Sequence, residues 1–91
     1  MVFPKYVKVR QERFGAVVFD TLREKVFVSN PTGADILRLL DEEKSIEDIC
    51  DELSRSYDEN LAQLKVEVNN FIDELRKKEL FIDMSKREGA G

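Results

Sequence analysis

The side chains of this 91-residue chain that could do chemistry are carboxylates, amines and one thiol. Histidine is absent, so the commonest general base and a common metal ligand are both missing. Cys50 is the single cysteine; it closes no intrachain disulfide or cysteine-based zinc site, and no histidine can activate it as a nucleophile. It falls at a helical apolar position, where a small core residue is expected. Asp41-Glu42-Glu43 is the densest acidic run and reads as a solvated helix end. No G-x-x-x-x-G-K-[ST], H-E-x-x-H or G-x-S-x-G motif occurs. The sequence therefore predicts no catalytic residue, no metal site and no enzyme. What remains is main-chain chemistry. Lys25-Val26-Phe27-Val28-Ser29 reads as a short strand that stops at Asn30-Pro31. If it is a sheet edge, it offers unpaired N–H and C=O groups to another chain.

That possibility depends on the elements around it. Tyr6 to Glu12 alternates, with Val7 and Val9 against Lys8 and Arg10, as a half-buried strand does. Gly15 marks a turn, and Ala16 to Phe19 reads as a central strand covered on both sides. Three short strands with short loops predict an antiparallel meander whose first and third strands are the edges. The rest is helical. Thr32 is the candidate cap of a helix carrying Ile36, Leu37 and Leu40. Ser45-Ile46-Glu47-Asp48 has the capping-box form and leads into Ile49, Cys50 and Leu53. Asp58 or Asn60 starts the longest helix, 61–78, with Leu61, Leu64, Val68, Phe71, Ile72 and Leu75 on one face and Val66 opposite. Leu80-Phe81-Ile82 is expected to be extended and to pack back on the sheet. The fold class is α+β, winged helix-turn-helix-like, with a three-stranded antiparallel sheet followed by three helices. Residues 1–84 form the domain, with 1–5 a frayed lead-in, and 85–91 form a flexible tail whose Gly89-Ala90-Gly91 resembles a linker stub.

Composition bounds the partners. A net charge of −4 with 37% charged residues argues against a phosphate-binding surface. Neither a signal peptide nor a membrane-length apolar run is present, which predicts a cytoplasmic domain without a membrane partner. Two classes stay open on the residues alone. A winged helix reads DNA with its third helix, but here that helix mixes Glu67, Asp73 and Glu74 with Lys65, Arg76, Lys77 and Lys78. Its basic end is explained by the helix dipole. This leaves a DNA-binding regulator as the alternative, and no nucleic-acid partner is expected. The favoured class is peptide capture by strand addition, although each of Val26, Val28, Val68 and Phe71 taken singly is more simply ordinary core; a shared groove requires only that some be partly exposed.

The ordered pieces Arg10-x-Glu12-x-Phe14-Gly15, Val17-Val18-Phe19-Asp20 and Val26-Phe27-Val28-x-Asn30-x-Thr32-Gly33-Ala34 resemble the PqqD family. Ser45-Ile46-Glu47-Asp48-Ile49 with Leu53 and Tyr57, and Val68-x-x-Phe71-Ile72-x-x-Leu75 leading to Leu80, continue the resemblance from about Val7 to Ile82. Where the family often has glycine in the connector before the second helix and just before Leu80, this chain has charged residues, Glu79 among them. The resemblance implies a recognition element for ribosomally made precursor peptides. It would bind the leader segment and present it to a modifying enzyme, without a cofactor of its own. That enzyme would be a radical SAM (SPASM) maturase by the R-x-E-x-F-G opening. A lasso-peptide leader protease is second, by the shared N-x-T-G portion. The resemblance places the leader against Lys25, Val26, Phe27, Val28 and Ser29. Val68, Phe71, Ile72 and Leu75 would form the groove wall, with Lys65, Asn69 and Arg76 at its rim.

Overall fold

In the computed structural model, residues 3–81 are described; residues 1, 2 and 82–91, which include the expected tail, lie outside them. The sheet is the expected meander: β1 (Val7–Glu12), β2 (Gly15–Asp20) and β3 (Lys25–Ser29), in the order β1-β2-β3, both pairings antiparallel. The register is continuous. Val9 faces Val18 across β1 and β2, and Val18 faces Phe27 across β2 and β3. This register gathers Val7, Val9, Gln11, Ala16, Val18, Asp20, Lys25, Phe27 and Ser29 on one face, because side chains alternate along a strand. Helices cover that face only. The opposite face carries Val17, Phe19, Val26 and Val28, and the Arg10 guanidinium lies 5.4 Å from the Phe19 ring. The continuous apolar run of β2 therefore has a helical layer on one side. On the other side Val17 is shielded by its neighbours, not by a second layer.

Three helices follow: α1 (Pro31–Asp41), α2 (Ile46–Tyr57) and α3 (Leu61–Lys77). Asn30, not Thr32, caps α1: its side chain accepts the Gly33 N–H at 2.8 Å, and Pro31 occupies the first helical turn. The proline suits that position because its missing N–H would have no partner there. Ser45 accepts the Asp48 N–H at 3.1 Å, as its motif predicts. Asn60 caps α3, while Asp58 closes α2 in the left-handed region. Ile36, Leu37, Leu40, Ile49, Leu53, Leu64, Val68, Ile72 and Leu75 meet Val7, Ala16 and Val18 in one core. Cys50 is fully buried there, and burial pushes its thiol up.

Two helix ends depart from the usual turn chemistry. Glu43 (φ 61°) and Glu79 (φ 58°) both sit in the left-handed region. In each case the next N–H reaches back five residues, Lys44 to the Leu39 carbonyl (3.1 Å) and Leu80 to the Leu75 carbonyl (2.9 Å). That is the Schellman closure, in which glycine is favoured. The charged residues thus occupy places where the backbone wants glycine. The turn at Glu79 sends Leu80 and Phe81 into the core, Phe81 against Phe3 with ring centroids 4.9 Å apart. The expected extended segment is this turn and not a strand.

Gly33 sits where α1 crosses the end of β3. A Cβ there would lie 2.8 Å from the Ser29 Cβ and 2.9 Å from Phe71 Cε1. Gly33→Ala is expected to destabilise the domain by about 1–2 kcal/mol, an overpacking cost partly offset by better helix propensity. Glu43→Gly should stabilise it by about 0.5–1 kcal/mol, since relief of left-handed strain exceeds the added unfolded-state entropy. Urea denaturation of both variants measures the two signs.

Candidate functional site: an open strand edge beside α3

The hydrogen-bonding sense of β3 follows from its neighbours. The Thr21 N–H donates to the Tyr6 carbonyl at 2.9 Å, one step beyond the Val7–Asp20 pair. Main-chain groups alternate in direction along an antiparallel strand. The odd-numbered residues of β2 therefore turn toward β1, and Ala16, Val18 and Asp20 turn toward β3. Their partners Ser29, Phe27 and Lys25 turn back toward β2. Val26 and Val28 are left with N–H and C=O groups aimed away from the sheet. No further strand pairs there among the described residues. Their side chains are 60% and 58% exposed, so neither is core.

Beside this edge lies α3. Phe27 projects from β3 toward it and meets Phe71, ring centroids 5.9 Å apart and tilted by 57°. The two half-buried rings form the floor of a groove, with a cavity at each end. One, of about 330 Å³, lies between the start of β3 and the end of α3, lined by Lys25, Phe27, Lys77, Lys78 and Leu80 among others. The other, of about 460 Å³, is lined by Asn30, Gly33, Glu59, Glu67, Asn70 and Phe71 among others.

The expected site residues divide. Lys25, Val26, Phe27, Val28 and Ser29 form the edge, with Ser29 buried. Phe71 lies on the groove floor. Val68, Ile72 and Leu75 are fully buried and anchor α3 to the core, so the groove wall is not theirs. Lys65, Asn69 and Arg76 line neither cavity. At about 100° per residue they lie roughly 120°, 160° and 140° around the helix from Phe71. Arg76 pairs with Asp73 at 3.4 Å on α3 itself. Besides Phe71, the residues of α3 that line the cavities are Glu67, Asn70 and Lys77, with Lys78 at the helix C-cap, and sequence reading missed them as groove residues. The signal was available: Glu67 and Lys78 are four residues before and seven after Phe71, on its own helical stripe.

One polar cluster holds the basic end in place. The Asp20 carboxylate is buried and accepts the N–H groups of Leu22 (3.1 Å) and Arg23 (3.0 Å) and the Arg23 guanidinium (2.9 Å). Arg23 also pairs with Glu79, and the Tyr6 hydroxyl donates to the Glu79 carbonyl at 3.1 Å. The cluster thus ties the β2–β3 turn to the end of α3. Burial pushes the Asp20 carboxyl up, but the hydrogen bonds and charge of Arg23 and the Leu22 N–H outweigh it, and its pKa is lowered.

Among the described residues no group of three or more His, Cys, Asp or Glu side chains could hold a metal, and no helix is long and apolar enough to cross a membrane. The fold and site define a small winged-helix-like domain with an open strand edge over an aromatic groove. The family described as coenzyme PQQ synthesis protein D (PqqD) matches residues 15–80, and the chain belongs to it. Two solved structures share the fold. "TbiB1 in Complex with the TbiA(beta) Leader Peptide" has a TM-score of 0.82 at 23% identity, over 89% of this chain and 94% of that one. "Lasso peptide synthetase B1 complexed with the leader peptide" has a TM-score of 0.81 at 18% identity, over 89% and 95%. No curated protein sequence gives a match.

Two outcomes follow from this geometry. Val28→Pro removes an outward N–H and should leave the far-ultraviolet circular dichroism intact. Phe27→Pro breaks the ladder to β2 and should cost at least the roughly 1–3 kcal/mol of an orphaned buried acceptor. Because the Asp20 pKa is lowered on folding, its contribution is present above the unfolded pKa and lost as pH falls through the folded one. The stability gap between the natural chain and Asp20→Asn should therefore be wide at pH 7 and narrow at pH 2–3, in urea titrations.

Proposed function

We propose that this chain is a non-enzymatic adaptor of ribosomal peptide biosynthesis, which binds the leader of a precursor peptide as an added strand on β3 and presents it to a modifying enzyme. The observation that carries this reading is the pair of outward-facing main-chain groups at Val26 and Val28 above the Phe27–Phe71 floor. A strand laid along that edge gains main-chain hydrogen bonds, and every second side chain drops into the groove. Its remaining side chains lie beside Val26 and Val28 on the outer face. Membership of the PqqD family supports the pathway class. The two similar structures are described as leader-peptide complexes, which supports an edge left open for a peptide.

The contact residues in this reading are Lys25 to Ser29 and Phe71, with Glu67, Asn70 and Lys78 along the groove. Val68, Ile72 and Leu75 support them from below. Lys65, Asn69 and Arg76 fall outside the contact set in this reading. That partner is a radical SAM maturase in the favoured reading, on the Arg10-x-Glu12-x-Phe14-Gly15 segment, and a lasso-type leader protease in the second, to which the two structural relatives lend weight. Binding strength would come from the few side chains that fill the groove more than from area, since association entropy absorbs much of the area-based gain.

The test uses a fluorescein-labelled leader of a precursor peptide identified by a search of the genes neighbouring this chain's gene or by pull-down from the source cell. Val28→Pro should weaken binding at least about tenfold, or about 1.4 kcal/mol. Phe71→Ala should weaken it by a similar factor through the loss of the floor. Equal affinity for the natural chain and a folded Val28→Pro variant overturns strand addition.

A further inference from the structure

The two ends of the groove carry opposite charge, although the chain as a whole is acidic. At the start of β3, Lys25 comes from the strand, and Lys77 and Lys78 come from the end of α3. None of the three has an acidic partner among the described residues, because Asp20 and Glu79, the carboxylates that line the same cavity, are both taken by Arg23. The Lys78 ammonium lies 5.8 Å from the centroid of the Phe27 ring, directly over the floor. A helix C-terminus attracts lysines by its dipole, which accounts for Lys77 and Lys78. It does not account for Lys25, which the β2–β3 register brings to the same cavity from another element. The cavity at the other end is lined by Glu59 and Glu67 and by no basic residue.

We infer that the lysine end of the groove is an acceptor for an acidic side chain of the captured strand, and that the glutamate end excludes one. The inference rests on the strand-capture reading and deepens it. The ligand chemistry is a carboxylate. Its source is an Asp or Glu side chain at one end of an alternating apolar segment, held by ammonium groups over an aromatic floor. Three ammoniums around a cavity of about 330 Å³ are enough to surround one carboxylate. The charge difference between the ends would also fix which way along β3 the strand lies, because an inverted strand would set its acid against Glu59 and Glu67.

The probe is a library of random twelve-residue peptides displayed on phage with blocked C-termini, selected on the full chain. Selected peptides are resynthesised as C-terminal amides. Binders that lose affinity on Val28→Pro should carry Asp or Glu at one end of the alternation. Their change to Asn or Gln should weaken binding about tenfold on the natural chain and leave it unchanged on a Lys25→Gln/Lys77→Gln/Lys78→Gln variant. The acidic contribution should shrink as NaCl rises from 25 to 250 mM. Edge-dependent binders with no acidic enrichment, or with equal affinity for the triple variant, overturn the inference and leave strand capture standing. A gain seen only with a free C-terminal carboxylate also overturns it, by assigning the cavity to a chain end. A selection that returns no edge-dependent binder removes both readings.

Discussion

Two residues at the border of the sheet, Val26 and Val28, direct their main-chain polar groups at nothing in the described chain. The rest of the domain is arranged around keeping them so. The chain leaves β3 at Asn30 and Pro31 and turns straight into α1. Pro31 has no N–H to extend the ladder, and Asn30 spends its side chain on capping the helix. No fourth strand follows among the described residues. An exposed edge of this kind is a hazard for aggregation, and short length and a flanking lysine are common ways to blunt it. β3 has both, being five residues long and starting at Lys25.

The edge alone would be unselective, because every peptide has a backbone. Selectivity has to come from the space beside it. That space exists because α3 stands off from β3 and touches it through the Phe27–Phe71 contact, while its buried stripe is fixed on α2 and the core. Gly33 allows this spacing, since a larger residue would collide with Ser29 and Phe71. At the other end the Asp20–Arg23–Glu79 cluster and the Tyr6 hydroxyl fasten the last turn of α3 to the sheet. The groove is thus held open between a tight glycine crossing and a polar clasp.

The clasp also explains why Glu79 is tolerated in a left-handed conformation. A side chain costs of order 1 kcal/mol there, and in the same turn the Glu79 carboxylate pairs with Arg23 and its carbonyl accepts the Tyr6 hydroxyl. By taking up both carboxylates at that end, Arg23 leaves the three lysines without acidic partners. Stability and charge pattern at the basic end are therefore set by the same few residues. Glu43 has the same backbone conformation and its side chain makes no ion pair among the described residues, so its strain is uncompensated.

Most of the architecture was legible in the sequence, because it rests on local rules. Alternation marked β1, the Pro31 stop ended β3, Ser45 capped α2, and the apolar period placed Leu64, Val68, Ile72 and Leu75 on one side of α3. The meander order by itself makes β3 an edge. Local signals failed at the start of α1, where Asn30 and not the expected Thr32 is the cap, and where a charged residue took a glycine's place. They failed more seriously at the groove. Helical periodicity shows which residues of α3 share a face, but not where that face ends and the groove begins. Only packing decided that Val68, Ile72 and Leu75 lie beneath the groove, that Phe71 alone of that stripe reaches its floor, and that Lys65, Asn69 and Arg76 point elsewhere. The meeting of Lys25 with Lys77 and Lys78 was likewise invisible in the sequence. It joins residues some fifty positions apart, and only the tertiary fold brings such positions together.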